Sequence, residues 1–177
     1  MPLSVPVPQH TATFLQIYAH SEIYWGRGNG WAMGALVAAI QNGTHDPHRA
    51  KYVEIFKLHA AKLASIITMD ARGGYWHSSL LDASSFPSPE MTGTASFVYG
   101  MAFGINHGLL DRATYLPPVN AAWKFMSTTA LQESGLFGYC QPVGGSPQNN
   151  VNASSTSDFC VGQFLLAAAQ VHLLVSA

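Results

Sequence analysis

Charge is scarce in this chain. Its 177 residues hold 8 Lys and Arg and 9 Asp and Glu, so charged side chains make up 10% of the sequence and the formal charge is −1. Ordinary soluble domains carry roughly 25% charged residues. Without a basic excess there is no electrostatic footprint for nucleic acid or for an anionic membrane, and neither is expected as a partner. Long apolar runs are missing too. Hydrophobic residues reach 48%, yet no uninterrupted stretch approaches the ~18 to 20 residues of a membrane span. Met1 to Pro8 also lacks the basic start and apolar stretch of a signal peptide. The sequence thus predicts a soluble chain without a visible address. Cysteine is limited to Cys140 and Cys160, which form either one bridge, if the protein is secreted, or two buried thiols. No phosphate loop is present. The eight His are scattered without ligand spacing. The pair His45 and His48 flanks Asp46-Pro47, which reads as a helix start rather than a metal site, so no metal and no cofactor is expected.

What is present is mostly helical pattern. Met33, Leu36, Val37 and Ile40 form one stripe of a helix over Trp31 to Ile40 that stops at Asn42-Gly43. Asp46-Pro47 then offers an N-cap and a proline at the first helical position. Tyr52, Phe56, His59, Leu63 and Ile66/Ile67 carry that helix to about Met69. The two make a helical hairpin. A second begins with Thr92 or Thr94 as cap, bears Phe97, Val98, Met101 and Ile105, and ends at Gly108. Pro117-Pro118 opens its partner, which bears Trp123 and Met126. A last helix runs from about Asp158 through Phe164, Ala168 and Val171. Long loops at 72–89 and 135–157 separate these elements, and loops of that length are more often functional than idle. The chain is long enough for one domain over residues 1–177, with residues 1–22 a poorly defined segment. Two sequons, Asn42-Gly43-Thr44 and Asn152-Ala153-Ser154, fall in loops and favour a secretory origin, although short sequons also arise by chance.

The stretch Trp25-Gly26-Arg27-Gly28-Asn29-Gly30-Trp31 interleaves aromatic, cationic and amide side chains with three glycines. Glycine lets a backbone take positive φ and approach a ligand closely. Tryptophan faces cover sugar rings, and arginine grips a carboxylate through two parallel hydrogen bonds. The pattern points to recognition of an acidic carbohydrate. The alternative is a tight structural turn with buried tryptophans.

This stretch, continued by Ala32-Met33-Gly34-Ala35-Leu36, resembles the WGRGNGW signature of glycoside hydrolase families 88 and 105, the unsaturated glucuronyl and rhamnogalacturonyl hydrolases. Gly74-Tyr75-Trp76-His77 with Leu81-Asp82, then Glu90-Met91-Thr92-Gly93-Thr94-Ala95, is similar to a second family segment. Ser134 to Cys140 with Gly162 to Ala167 follows the order of a third. The resemblance implies an all-α toroid of six helical hairpins, (α/α)6. At ~12 residues per helix and ~5 per connection, this chain supplies roughly half of that ring and looks like the carboxy-terminal part of a family member. Self-association through exposed apolar helix faces is expected of such a half-ring.

The resemblance also implies the chemistry: protonation of the C4=C5 double bond of a terminal unsaturated uronic acid, with addition of water at C5. The expected partner is therefore an oligosaccharide ending in such a uronate. The family's essential aspartate lies upstream of the signature, and the twenty-four residues before Trp25 contain no aspartate, so no catalytic residue is assigned. Asp82 and Asp158 read as loop or cap residues. The candidate substrate-binding set is Trp25 and Trp31 as walls, Arg27 for gripping the uronate carboxylate or orienting a catalytic carboxylate, Asn29 for a hydroxyl or the turn, Trp76 and His77 as a second wall and polar contact, and Glu90 for hydroxyls or for the helix N-terminus. For Trp76 and His77 a packed structural pair is an equal reading. Ser154, Thr156 and Asp158 read as turn and capping residues in a loop beside the site. A catalytically silent sugar-binding or assembly module is the competing function, and a sugar epimerase on a similar toroid ranks third.

Overall fold

The computed structural model describes residues 24–176; residues 1–22, the expected poorly defined segment, lie outside them. Five helices account for most of the described chain: α1 (Gly26–Asn42), α2 (Arg49–Ser65), α3 (Met91–Asn106), α4 (Arg112–Phe125) and α5 (Asp158–Ser176). A short hairpin of β1 (Thr68–Asp70) and β2 (Gly73–Tyr75) lies between α2 and α3. The fold is the expected all-α arrangement of paired hairpins.

Contacts along the helices fix their directions. Gly26 lies against Gly93, Gly30 against Ser96 and Met33 against Gly100, so α1 and α3 run parallel. Ser96 donates to Gln163 and Asn106 to Gln170, so α5 runs parallel to α3 as well. Between them in sequence α2 and α4 run back the other way: Phe56 meets Phe103 and His59 meets Phe97, while Arg112 bonds to Leu174 and Trp123 stacks on Phe164. Three parallel helices thus begin at one end of the molecule, and two returning helices pack outside them. Helix α3 occupies the centre and is buried on nearly every side, which is why residues 91–106 contain no charged side chain at all.

The helix starts differ from the sequence reading in four places. Helix α1 begins at Gly26, five residues before Trp31, and none of Gly26, Gly28 or Gly30 has positive φ. The glycines serve a different need: a Cβ on Gly30 would sit 2.8 Å from the Ser96 side chain, and one on Gly93 would sit 3.0 Å from the Gly26 backbone. They let two helices touch. Helix α2 begins at Arg49, because Asp46 accepts from the His48 N–H and closes a turn ahead of the helix instead of capping it. It also ends earlier than expected, where the β-branched run Ile66-Ile67-Thr68 enters the hairpin. Helix α3 is capped by Glu90, not by Thr92 or Thr94. Helix α4 starts at Arg112, where Asp111 accepts from Thr114, and Pro117 and Pro118 lie inside it. The strong cap nucleates the helix before the prolines. The carbonyls they leave unpaired belong to the exposed Ala113 and Thr114, within reach of water.

Helix α5 corrects a further expectation. It is 19 residues long with a mean hydropathy of 1.7, enough by length and composition to cross a membrane. One side of it packs, with Cys160, Ala167, Val171 and Leu174 buried and Gln163 and Gln170 bonded to α3, while only 22% of that apolar stretch is buried. Cys140 and Cys160 are joined in a disulfide.

Candidate functional site

The N-termini of α1, α3 and α5 meet at one end of the molecule, and the WGRGNGW stretch stands there because it is the first turn and a half of α1. The chain reaches α1 through two main-chain bonds, Gly26 N–H to Ser78 O at 2.8 Å and Leu80 N–H to Tyr24 O at 2.9 Å. These zip the segment after β2 onto the start of the helix. Trp31 is 55% exposed. Trp25 is half-buried, with its ring edge-on to Trp31 at 5.5 Å. These two rings form an apolar corner that is partly open to solvent.

Arg27 lies beneath that corner and is buried. Its Nε donates to Thr92 Oγ1 at 3.0 Å, its Nη1 to Pro142 O at 3.0 Å, and its Nη2 to the carbonyls of Pro142 and Gln141. Four contacts engage a group with five N–H bonds. The guanidinium also lies 4.6 Å from the Phe159 ring and 5.3 Å from the Trp25 ring. Burial pushes its pKa down, and the nearby Glu90 carboxylate opposes that shift. The planar fork expected to grip a ligand carboxylate is here filled by two main-chain carbonyls of the loop after Cys140.

Glu90 is equally enclosed. Its Oε1 accepts from Thr92 N–H, Thr92 Oγ–H and Gln141 N–H, and its Oε2 accepts from Gly93 N–H. A carboxylate at this helix N-terminus satisfies orphan amides and complements the helix dipole. Through Thr92 it also touches Arg27. Trp76 is buried, with Nε1 donating to Leu63 O at 2.9 Å and the ring edge-on to Phe97. His77 shares a hydrogen bond with Thr68 Oγ1 at 2.9 Å and lies 3.3 Å from Ser88 O. Trp76 and His77 therefore sit below the corner, in the packing between α2, the hairpin and α3.

Asn29 donates to Trp25 O at 2.9 Å. It also lines a cavity of about 350 Å³ with Tyr24, His59, Lys62, Leu80 and Leu81, on the α2 side of α1. Asp82 closes a turn by accepting from Ser84 and Ser85, and those bonds hold its carboxyl below the usual range. Asp158 accepts from Phe159 N–H at the start of α5. Sequence reasoning missed Gln141, which is fully buried at the junction of Trp25, Arg27 and Glu90. Its one sequence signal is adjacency to Cys140 in a long loop.

Comparison with known proteins bears on the family and the fold. The model for Glycosyl Hydrolase Family 88 matches residues 10–175. An unsaturated 3S-rhamnoglycuronyl hydrolase of Formosa agariphila is 35% identical over 151 residues, which are 85% of this chain and 39% of that protein. A second of the same name, from an Alteromonas species, is 33% identical over 84% of this chain and 35% of its own length. A glycosyl hydrolase family 88 structure from Bacteroides vulgatus superposes with a TM-score of 0.79 at 39% identity, covering 86% of this chain and 44% of that one. The chain thus spans less than half the length of the relatives it matches. With its signature at the shared end of three parallel helices and the family model matched across residues 10–175, the chain belongs to glycosyl hydrolase family 88.

Proposed function

We propose that this chain forms the substrate-positioning half of a hydrolase acting on oligosaccharides that end in an unsaturated uronic acid, such as pectin or rhamnogalacturonan fragments. The observation that carries the reading is the corner of Trp25 and Trp31, partly open to solvent, built at the meeting point of three helix N-termini in a family 88 chain. Sugar rings stack on such faces through their axial C–H groups, and N-terminal amides favour an anionic neighbour. Trp25, Trp31 and Asn29 are the residues nearest a bound sugar. Arg27, Glu90, Trp76 and His77 hold the corner from below, and Arg27 reaches a uronate only when the carbonyls of residues 141 and 142 give way.

The reaction is hydration. A proton adds to C4 of the C4=C5 double bond and the oxygen of water adds to C5. The resulting hemiketal opens to a ketone, and the neighbouring sugar departs from C1. Cleavage does not proceed by displacement at the anomeric carbon, so the separation of two carboxylates does not govern it. The proton donor of this reading lies outside the described residues: Asp82 and Asp158 hold turns, and Glu90 is enclosed by four donors. The competing reading is a catalytically silent sugar-binding module. It is favoured by the same enclosure of the carboxylates.

The test follows the absorbance of the conjugated double bond in unsaturated rhamnogalacturonan or glucuronyl disaccharides. The isolated chain is expected to bind them with little or no loss of that absorbance. Robust turnover that disappears in Asp82→Asn or Asp158→Asn would place the acid within this chain and overturn the half-site reading.

A further inference from the structure

Gln141 is a loop residue with no exposed surface, and all four of its polar groups are engaged. Its N–H donates to Glu90 Oε1 at 3.1 Å, and its C=O accepts from Arg27 Nη2. Its Oε1 accepts from Trp25 Nε1 at 3.3 Å, and its Nε2 donates to Ser146 O at 2.8 Å. Trp25 and Arg27 lie 116 and 114 positions away in sequence, so one residue joins the signature stretch, the α3 cap and the 143–148 loop. The segment is pinned from the other side as well. Cys140 N–H donates to Ser155 O, and the Cys140–Cys160 disulfide ties the residue before Gln141 to the first turn of α5.

We infer that Gln141 is the positioning residue of the Trp25/Trp31 corner: its side-chain amide sets the pitch of the Trp25 indole, its main chain sets Arg27, and the disulfide keeps it in place. The inference rests on the sugar-binding reading of that corner. The physical case is one of reach and burial. A half-buried indole on the first turn of a helix has two torsions to lose, and a hydrogen bond to a buried amide selects one pose. Loop main chain holds a guanidinium only while the loop is itself restrained. A covalent link across 20 positions removes much of the freedom such a loop would otherwise have. Within α1 the Trp25 ring meets Trp31, the Arg27 guanidinium and Gly28, and among the described residues its indole N–H donates to Gln141 rather than to any of these.

The experiment uses the full chain labelled with ¹⁵N, in which the Trp25 indole N–H is assigned by its absence in Trp25→Phe. In Gln141→Met, which keeps volume and removes the amide, the Trp25 indole signal is expected to move and to exchange faster with solvent. Affinity for an unsaturated uronyl disaccharide is expected to fall about tenfold, the equivalent of one buried hydrogen bond. Trp25→Phe keeps the stacking face but loses the same bond. The two substitutions together should therefore cost no more than the larger alone. Reduction by excess dithiothreitol, which becomes a cyclic disulfide as Cys140 and Cys160 become thiols, is expected to broaden the Arg27 Nε–H signal in a chain that keeps its helix content. This arm does not depend on a substituted side chain folding correctly. An unmoved Trp25 signal in Gln141→Met, or additive losses in the double variant, would overturn the inference while leaving the sugar-binding reading intact. Failure of the unaltered chain to bind the disaccharide would instead overturn the sugar-binding reading, and the ¹⁵N signals would still decide whether Gln141 governs Trp25.

Discussion

Arg27 shows how far a motif can be read as chemistry before its neighbours are known. Residue type and setting say that a planar cation stands near tryptophans, which fits either a ligand carboxylate or internal acceptors. What the sequence does not carry is that the chain returns more than a hundred positions later and offers the carbonyls of Gln141 and Pro142 to that fork. The same holds for Trp76. Its type suits a binding wall, but burial against Phe97 and Leu63 becomes visible only once the helices are packed. Glu90 at a helix start was legible because capping is local. Arg27→Lys tests the outcome. Lysine cannot span Thr92 and two carbonyls at once, so the chain is expected to lose on the order of 2 kcal/mol of unfolding free energy, along with affinity for an unsaturated uronate. Denaturant unfolding beside titration calorimetry separates the two. Unchanged stability with reduced affinity would return the fork to the ligand.

Helix identities were legible because each carries apolar residues at helical spacing; their starts were not, because starts depend on which backbone groups find partners. At α1 the glycines mimic a turn in sequence and serve helix contact in space. Gly93→Ala puts the two accounts in opposition. In an isolated helix the change is stabilising by roughly 0.5 to 1 kcal/mol. Here a Cβ would meet the Gly26 backbone at 3.0 Å, so a net loss of about 1 to 3 kcal/mol is expected from the forced separation of α1 and α3. Thermal unfolding decides, and a raised midpoint would mean that the helices do not touch there. Helix α2 carries a second test. Among the described residues the Nε2 of His59 is buried without a hydrogen-bond partner, the ring lies edge-on to Phe97, and burial lowers its pKa from 6.5. The folded state therefore binds the proton more weakly than the unfolded state. This contribution to stability is fully present above about pH 6.5 and is lost as pH falls below it toward the lowered folded-state value. Unfolding free energies measured between pH 7.5 and 5 should fall toward acid, and His59→Leu should flatten that slope. An identical slope in the variant would remove His59 as the source.

At the scale of the whole molecule, the shortage of charged residues bears on how the chain behaves alone. Helix α3 covers its apolar surface on nearly every side, but α5 does not: Leu165, Leu166, Leu173 and Val175 are 60%, 46%, 49% and 78% exposed. They lie on a helix with one Asp and no Lys or Arg. In a closed ring of hairpins such a face is covered by the next pair, whereas the described residues supply no cover for it. Exposed apolar faces of this kind drive association when few charges oppose contact. The isolated chain is therefore expected to self-associate through α5 or to bind hydrophobic dye, with light scattering showing a mass above that of one chain. Leu166→Glu with Leu173→Glu places charge on the exposed face without touching Cys160, Ala167, Val171 or Leu174, so it should restore a single-chain mass while leaving helix content unchanged. A monodisperse monomer of the unaltered chain that binds no dye would mean that the α5 face is stable in water as it stands, and that the arrangement of hairpins needs no further layer to close it.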